Sequence, residues 1–362
     1  MIDFKLLKNE ERAIIALRSL YNSYGYLPYK MSKFEEYDMY VKTKDFLVSD
    51  RIITFAGTDG KLLALKPDVT MSILKSTKFE KGVKNRFYYN ENVYRPSGST
   101  GQYKEIMQTG VENIGDLDIS DIFEVIILAA SSLNEISDEF VLDLSHMGVI
   151  SAVLDLIGCN NDARKNLINA ISSKSCHLIR QSCEEYNISG KFADVLCKLV
   201  SIDGSICYAA DALSGLFTAG APDAVKELRT LAELIADTEY SDKIRLDFSM
   251  AGNMNYYNGI SFCGYIPGVC ERVLSGGEYG GLLGAMGVSG RGIGFAVYLD
   301  LLSEVGGDRS EYDVDVLLVY DENTDISLLN KKQRELRAEG KTVCAQCSDT
   351  VKIRYTEKID LR

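Results

Sequence analysis

Histidine is nearly missing from this 362-residue chain, occurring only at His146 and His177. Serine–histidine–aspartate triads and histidine-rich metal sites are thereby all but excluded. Long apolar runs are missing as well. A stretch such as Val125 to Ala130 ends far short of the roughly 20 residues that a membrane span needs. The opening MIDFKLLKNEER is charged where a secretory leader needs an apolar centre. Positive charge is in deficit, with 40 Lys and Arg against 52 Asp and Glu, a net charge of −12. Nucleic-acid binding draws most of its affinity from cations on phosphates, so this balance weighs against it. The nine cysteines are odd in number and scattered from Cys159 to Cys347 with no framework spacing. A Cys344-x-x-Cys347 pair exists, yet no second pair follows to complete a four-ligand zinc site. No metal and no cofactor is expected, and the chain reads as cytoplasmic.

What is present is enough apolar residue, 46%, for a large core divided into two or three structural units. Asn9 is placed to cap a helix reaching Tyr24, with Gly25 as its stop. Strand-like runs follow at Arg51 to Ala56 and Lys61 to Leu65, joined by a Gly57-Thr58-Asp59-Gly60 turn. Thr70 to Ser76 reads as helical. Two longer strands, Arg86 to Arg95 and Glu105 to Gly115, precede a helix from Ser120 to Asn134 and a strand from Phe140 to Leu144. From about 146 to 240 the period becomes helical, clearest at Ala163 to Ile171, Phe192 to Leu199 and Ala224 to Ile235. Strands resume at Ile244 to Met250 and Ile260 to Tyr265. A glycine-rich segment then leads into an apolar run, Gly294 to Leu302, read as a helix. Val314 to Tyr320, Leu328 to Glu339 and Thr342 to Gln346 complete a β-α-β unit. Hairpin strands with interposed helices make the fold class α+β. The expected division is a core, 1–312, with a helical insertion at about 146–240, and a short C-terminal unit, 313–362.

Three segments stand out. The first is Leu63-Ala-Leu-Lys-Pro-Asp68-Val-Thr70. The second joins Arg86-Phe-Tyr-Tyr and Val93-Tyr-Arg95 to Met107-Gln108-Thr-Gly-Val-Glu112-Asn-Ile-Gly115. The third is Asn255-Tyr256-Tyr257-Asn-Gly259, with Gly276-Gly-Glu278-Tyr-Gly280 and Gly292-Ile-Gly-Phe-Ala296 behind it. Side chains alternate along a strand, so Gln108, Gly110 and Glu112 share a face, with Gln108 and Glu112 rooted about 13 Å apart. Gly110 leaves the space between them bare. Acceptors at both ends suit a small ligand with donor groups at both ends; an ordinary half-exposed strand explains the same spacing.

In this order the three segments resemble the class II aminoacyl-tRNA synthetase core of the histidyl type, over nearly residues 1 to 305. The resemblance implies an antiparallel sheet flanked by helices. It further implies that Asp68, Thr70 and Gln108 hold a histidine ammonium group and that Glu112, Tyr256 and Tyr257 line the imidazole end. Arg95 is the position it leaves for a phosphate.

The departures from that family decide the reading. Pro96-Ser-Gly-Ser-Thr-Gly-Gln102-Tyr-Lys104 lacks the family's arginines and glutamate. Gly252-Asn-Met-Asn255-Tyr-Tyr stands for Arg-Gly-Leu-Asp-Tyr-Tyr, so the catalytic arginine is gone. Gly276-Gly-Glu278-Tyr-Gly280 reverses a charge of Gly-Gly-Arg-Tyr-Asp, and Leu301 stands where an ATP-binding arginine belongs. Arg291 is close in sequence but wrongly spaced to replace them. Loss of one transition-state donor costs about 3 kcal/mol, and three such losses leave little synthetase activity. The C-terminal remnant is too short for an anticodon-binding domain, so no tRNA is expected.

A synthetase core without its chemistry resembles the regulatory subunits of ATP phosphoribosyltransferase. Lys66-Pro-Asp68-Val-Thr70 and Leu142-Asp-Leu-Ser-His146 follow that family, apart from Lys66. The resemblance implies activation of a short-form catalytic subunit within a hetero-oligomer, a homodimer inside it, and histidine as feedback effector. Two places for histidine stay open, the ancestral pocket and the subunit interface. Two other functions also stay open: an adenylating paralogue, and a histidine- or tRNA-sensing module.

Overall fold

The computed structural model describes residues 7–42, 51–97, 100–202, 204–214, 222–253, 256–304, 312–348, 350 and 352–362. Met254 and Asn255 of the third motif, and Gly98 and Ser99 of the loop after Arg95, lie outside them. The chain divides into two compact units, Met1–Val305 and Gly306–Arg362.

In the first unit, helix α1 (Asn9–Ser23) leads to β1 (Leu27–Pro28), β2 (Phe34–Glu36), α2 (Asp38–Lys42), β3 (Thr54–Ala56) and β4 (Leu62–Leu65). Next come α3 (Val69–Ser76), the long hairpin β5 (Lys84–Pro96) and β6 (Tyr103–Gly115), α4 (Ile119–Asn134) and β7 (Val141–His146). Among the described residues, six helices form the insertion: α5 (Met147–Ile157), α6 (Asn161–Ser172), α7 (Cys176–Glu185), α8 (Gly190–Ser201), α9 (Ile206–Ser214) and α10 (Asp223–Ala236). The sheet then resumes with β8 (Ile244–Leu246), β9 (Ile260–Tyr265), β10 (Leu274–Glu278), the short α11 (Gly280–Ala285) and β11 (Arg291–Tyr298).

Eight strands make one sheet in the order β1-β5-β6-β11-β10-β9-β7-β8. Its outermost pairs, β1 with β5 and β7 with β8, are parallel, and the inner pairs are antiparallel. Strands β2, β4 and β3 form a separate antiparallel sheet. One face of the large sheet is sealed by Val111, Leu144, Phe262, Leu274, Phe295 and Val297, packed in one core with the apolar stripes of α1, α4 and the insertion. The opposite face carries a second cluster, in which Tyr89, Val93, Ile114 and Tyr279 meet Met71 and Ile73 of α3. The expected α+β architecture with a helical insertion is therefore the observed one.

Local chemistry sets the helix starts. Asp118 accepts from the backbone N–H of Ser120 at 2.8 Å and starts α4, and Asn160 accepts from Ala163 at 2.9 Å to start α6. For α1 the cap is Lys8 rather than Asn9, because the Lys8 N–H is taken by Glu11 at 2.8 Å and Asn9 already lies within the helix.

Two further expectations are corrected. Gly294 to Leu302 is not a helix. Arg291–Tyr298 is a central strand, and only Leu299–Glu304 coils, as a 3-10 turn. Ile293, Phe295 and Val297 alternate with Gly292, Gly294 and Ala296, a period of two that the unbroken apolar run conceals. The strand expected over Ile244 to Met250 stops at Leu246, where Phe248–Asn253 turns as 3-10.

The second unit holds β12 (Val314–Val319), α12 (Ile326–Ala338), β13 (Val343–Gln346) and β14 (Tyr355–Asp360), with the parallel order β13-β12-β14. Strand β14 adds a third strand to the expected β-α-β unit, around Val316, Leu318, Leu329 and Leu336.

Candidate functional site

The α3 side of the large sheet is floored with small residues. In cross-strand register, Glu112 of β6 faces Gly294, Gly294 faces Gly277, and Gly277 faces Ser261. One row along, Gly110 faces Ala296, which faces Ser275. Directly opposed residues project to the same side, so the floor is a shallow trench with Gln108 and Glu112 standing from one strand. Three glycines are obligatory here. A Cβ at Gly110 would collide with the Phe295 carbonyl and with the Tyr89 hydroxyl, which occupies the space expected to be bare, one at Gly294 with the Glu112 carboxylate, and one at Gly277 with the Ile260 carbonyl. Aromatic rings wall the trench. Tyr89 of β5 lies across from Gly110 and donates to the Phe295 carbonyl at 3.3 Å. The Tyr256 and Tyr257 rings meet edge to face at 4.8 Å, and Tyr256 lies 6.4 Å from Tyr279.

Glu112 is the centre of the site and is 2% exposed. Its Oε1 accepts from the Thr70 hydroxyl at 2.6 Å, and its Oε2 accepts from the Tyr279 hydroxyl. Among the described residues, no cation is paired with it. Burial pushes its carboxyl up to about 8, against the two hydrogen bonds that favour the charged form, with the charge of Asp68 adding to the rise. Burial likewise raises the phenols of Tyr256, Tyr257 and Tyr279, so all three are neutral donors.

Asp68 is already engaged. Its Oδ1 accepts from the Met71 N–H at 3.0 Å as the cap of α3, and its Oδ2 meets Arg95 at 3.2 Å. Arg95 also donates to the Pro67 carbonyl at 2.5 Å. The neighbouring Lys66 is fully buried and paired with Glu91 at 2.8 Å. Gln108 is 2% exposed.

The residues read from the sequence therefore fall into two groups. Thr70, Glu112, Tyr256 and Tyr257 converge with Asp68 near the start of α3, while Gln108 stands at the far end of the trench. Sequence reading missed Tyr279, whose hydroxyl takes one Glu112 oxygen. Its signal was its place directly after Gly276-Gly277-Glu278 at the mouth of a helix.

The arginine departures can also be placed. The reversed charge at Glu278 is matched by Arg291, whose Nε and second guanidinium nitrogen reach its carboxylate at 2.7 and 3.0 Å. Leu301 lies in the 3-10 turn, half-buried against the core, and Asp300 beside it accepts from the Met107 N–H at 3.2 Å. The trench thus keeps polar groups of the kind that can bind a small polar molecule, while guanidinium groups that would clamp a transferring phosphorus are replaced or already paired. Among the described residues, no group of three His, Cys, Asp or Glu side chains is placed to hold a metal, and no helix is long and apolar enough to cross a membrane.

Comparison with known proteins agrees with this geometry. Residues 5–302 match the family model described as histidyl-tRNA synthetase. An ATP phosphoribosyltransferase regulatory subunit of Desulfitobacterium hafniense is 30% identical over 81% of this chain and 76% of its own length. One from Clostridium kluyveri is 28% identical over 93% of this chain and 89% of its own length. A crystal structure titled as an ATP phosphoribosyltransferase regulatory subunit/histidyl-tRNA synthetase from Bacillus halodurans superposes with a TM-score of 0.75 at 25% identity, covering 99% of this chain and 96% of that one. The ATP phosphoribosyl transferase (HisG:HisZ) complex from Thermotoga maritima shares the fold at 18% identity, with a TM-score of 0.63 over 82% of this chain and 98% of that one. The chain belongs to the histidyl-tRNA synthetase family and, within it, to the ATP phosphoribosyltransferase regulatory subunits.

Proposed function

We propose that this chain activates a short-form ATP phosphoribosyltransferase catalytic subunit, without chemistry of its own, and conveys histidine feedback on the first step of histidine biosynthesis. One observation carries the reading. The trench keeps an acceptor at each end, Gln108 and Glu112, while the arginines needed for adenylation are replaced by Gly252, Glu278 and Leu301. Histidine lies along β6 with one donor end toward Gln108 and the other toward Glu112, Asp68, Thr70, Tyr256 and Tyr257, so Asp68 and Thr70 serve the Glu112 end and not the Gln108 end. Arg95, held by Asp68 and the Pro67 carbonyl, keeps a charge that a phosphate could share. Two copies of the chain form a homodimer inside a hetero-oligomer with the catalytic subunit, and the likeness to the Thermotoga maritima complex supports that partnership. Histidine bound on this face favours a less active arrangement, a coupling between two sites.

The test is direct. The chain is mixed with the short-form catalytic subunit, and phosphoribosyl-ATP formation is followed with and without L-histidine. Activation that histidine reverses supports the reading, and Glu112→Ala then removes the reversal while activation remains. Absence of a complex and of activation sinks it. Histidine-dependent exchange of pyrophosphate into ATP by the chain alone would restore the synthetase reading.

A further inference from the structure

On the side of the sheet away from the trench, a chain of charged groups runs from the end of β7 to the start of β11. His146 closes β7, and its Nδ1 accepts from the Gly148 N–H at 3.1 Å, capping α5. Its Nε2 is buried without a hydrogen-bond partner and stands 3.9 Å from Glu227 Oε2 on α10. The other Glu227 oxygen binds Arg291 at 2.6 Å, and Arg291 in turn grips both oxygens of Glu278. The chain thus spans from the helical insertion to strands β10 and β11.

Both of its ends lie beneath the loop that follows Tyr256 and Tyr257. Next to His146, the Met147 N–H donates to the Gly259 carbonyl at 2.8 Å. Next to Glu278, the Asn258 N–H donates to the Glu278 carbonyl at 3.0 Å, and the Asn258 side chain accepts from Gly280 at 2.8 Å. Gly259 sits so tightly on the Glu278 carboxylate that a Cβ would collide with it. Partly buried ion pairs add little net stability over apolar packing, and their best-attested use is to select one arrangement among several. Here the arrangement selected is that of a loop whose two tyrosines wall the trench.

We propose that Arg291 is a positioning residue for this loop, clamped between Glu278 and Glu227 so that the seat of helix α10 and the placement of Tyr256 and Tyr257 are coupled. Histidine in the trench and the pose of the insertion then bias one another. The inference rests on the reading that the trench holds histidine, so its test carries a readout that does not need the ligand.

Three variants of the full chain are compared: Glu227→Gln, Arg291→Met and Leu228→Ala. Leu228 is fully buried one residue from Glu227 on α10, and its truncation removes packing volume while the Glu227–Arg291–Glu278 clamp still fixes the seat of the helix. L-histidine affinity is measured by calorimetry, amide exchange is followed over 256–260, and thermal melting reports the fold. Glu227→Gln and Arg291→Met weaken histidine binding by about fivefold or more and speed exchange in the loop, while Leu228→Ala lowers the melting temperature and leaves both unchanged. If Glu227→Gln alters neither affinity nor exchange, or Leu228→Ala alters them equally, the coupling is refuted. If the unaltered chain binds no histidine, the trench reading falls, and the exchange comparison alone decides the coupling.

Discussion

Replacing Glu112 with glutamine should make the protein more stable in alkaline solution, an unusual outcome for removing a group at the centre of a binding site. In the unfolded chain the carboxyl releases its proton near the ordinary value of 4.5, whereas burial delays this to about 8 in the folded protein. Below 4.5 both states hold the proton and the group adds no pH dependence. Between 4.5 and about 8 the folded state holds more protons than the unfolded one, so stability falls as pH rises, and above about 8 the full loss is in place. At 1.36 kcal/mol per pH unit the interval amounts to roughly 5 kcal/mol. Glutamine presents a carbonyl oxygen and an NH2 where the neutral acid presents a carbonyl oxygen and an O–H, so one of the Thr70 and Tyr279 hydroxyls donates and the other turns to accept, without titration. Urea unfolding, followed by circular dichroism, should give the two proteins similar stability at about pH 5. By about pH 9 the Glu112→Gln protein should lead by several kcal/mol. Parallel loss of stability in both would refute the argument, because it would mean that Glu112 is already ionised at neutral pH. If the bound cation ionises Glu112, that carboxyl gives up about 0.9 proton per ligand at pH 7, and the net number released is that less whatever the imidazole takes up. Calorimetry in buffers of different ionisation enthalpy reads that number directly.

Other outcomes follow from the same contacts. Glu91→Ala strands the fully buried Lys66 ammonium and should cost about 3–5 kcal/mol, while Lys66→Met, which removes the charge instead, should cost far less; urea titrations of the two variants separate them. Gly294→Ala forces a methyl against the Glu112 carboxylate and should lower stability by about 1–3 kcal/mol and weaken histidine binding, both measurable in one melting series with added ligand. Tyr279→Phe frees Glu112 Oε2 of its internal donor and should change histidine affinity more than it changes the melting temperature. Leu301→Arg alone should not yield pyrophosphate exchange, since Gly252 and Glu278 still lack their arginines.

The parts of this fold that sequence could reveal are those governed by local period. The alternation of Gln108, Gly110 and Glu112 put them on one face of the sheet, and the helical spacing after His146 marked the insertion. Failure came where tertiary burial overrode the local pattern. Strand β11 is covered on both faces, so its apolar run showed no polar alternation and passed for a helix. Partners distant in the chain were equally hidden. Tyr279 meets Glu112 across 167 residues, and Arg291 meets Glu227 across 64. Arg291 looked misplaced for catalysis because its task lies elsewhere. The antiparallel register of β10 and β11, with Glu278 opposite Ile293, brings it two residues past its partner, where it answers the charge reversal at 278. The resemblance to the histidyl-type core located Asp68 and Thr70, whose capping and carboxylate contacts no spacing rule would supply.

The glycine floor of the trench has a bearing on how such a protein can arise. Gly110 and Gly294 shape the trench floor through main-chain approach, whereas Gly252, Glu278 and Leu301, where the resemblance calls for arginines, form no part of that floor. Exchange of such an arginine for glycine, glutamate or leucine ends a reaction and leaves the floor untouched. Exchange of a floor glycine pushes a methyl into it. Ancestral enzymes built this way can therefore lose their chemistry by small steps, each compatible with a folded, ligand-binding protein, and be retained for what they sense instead of what they make.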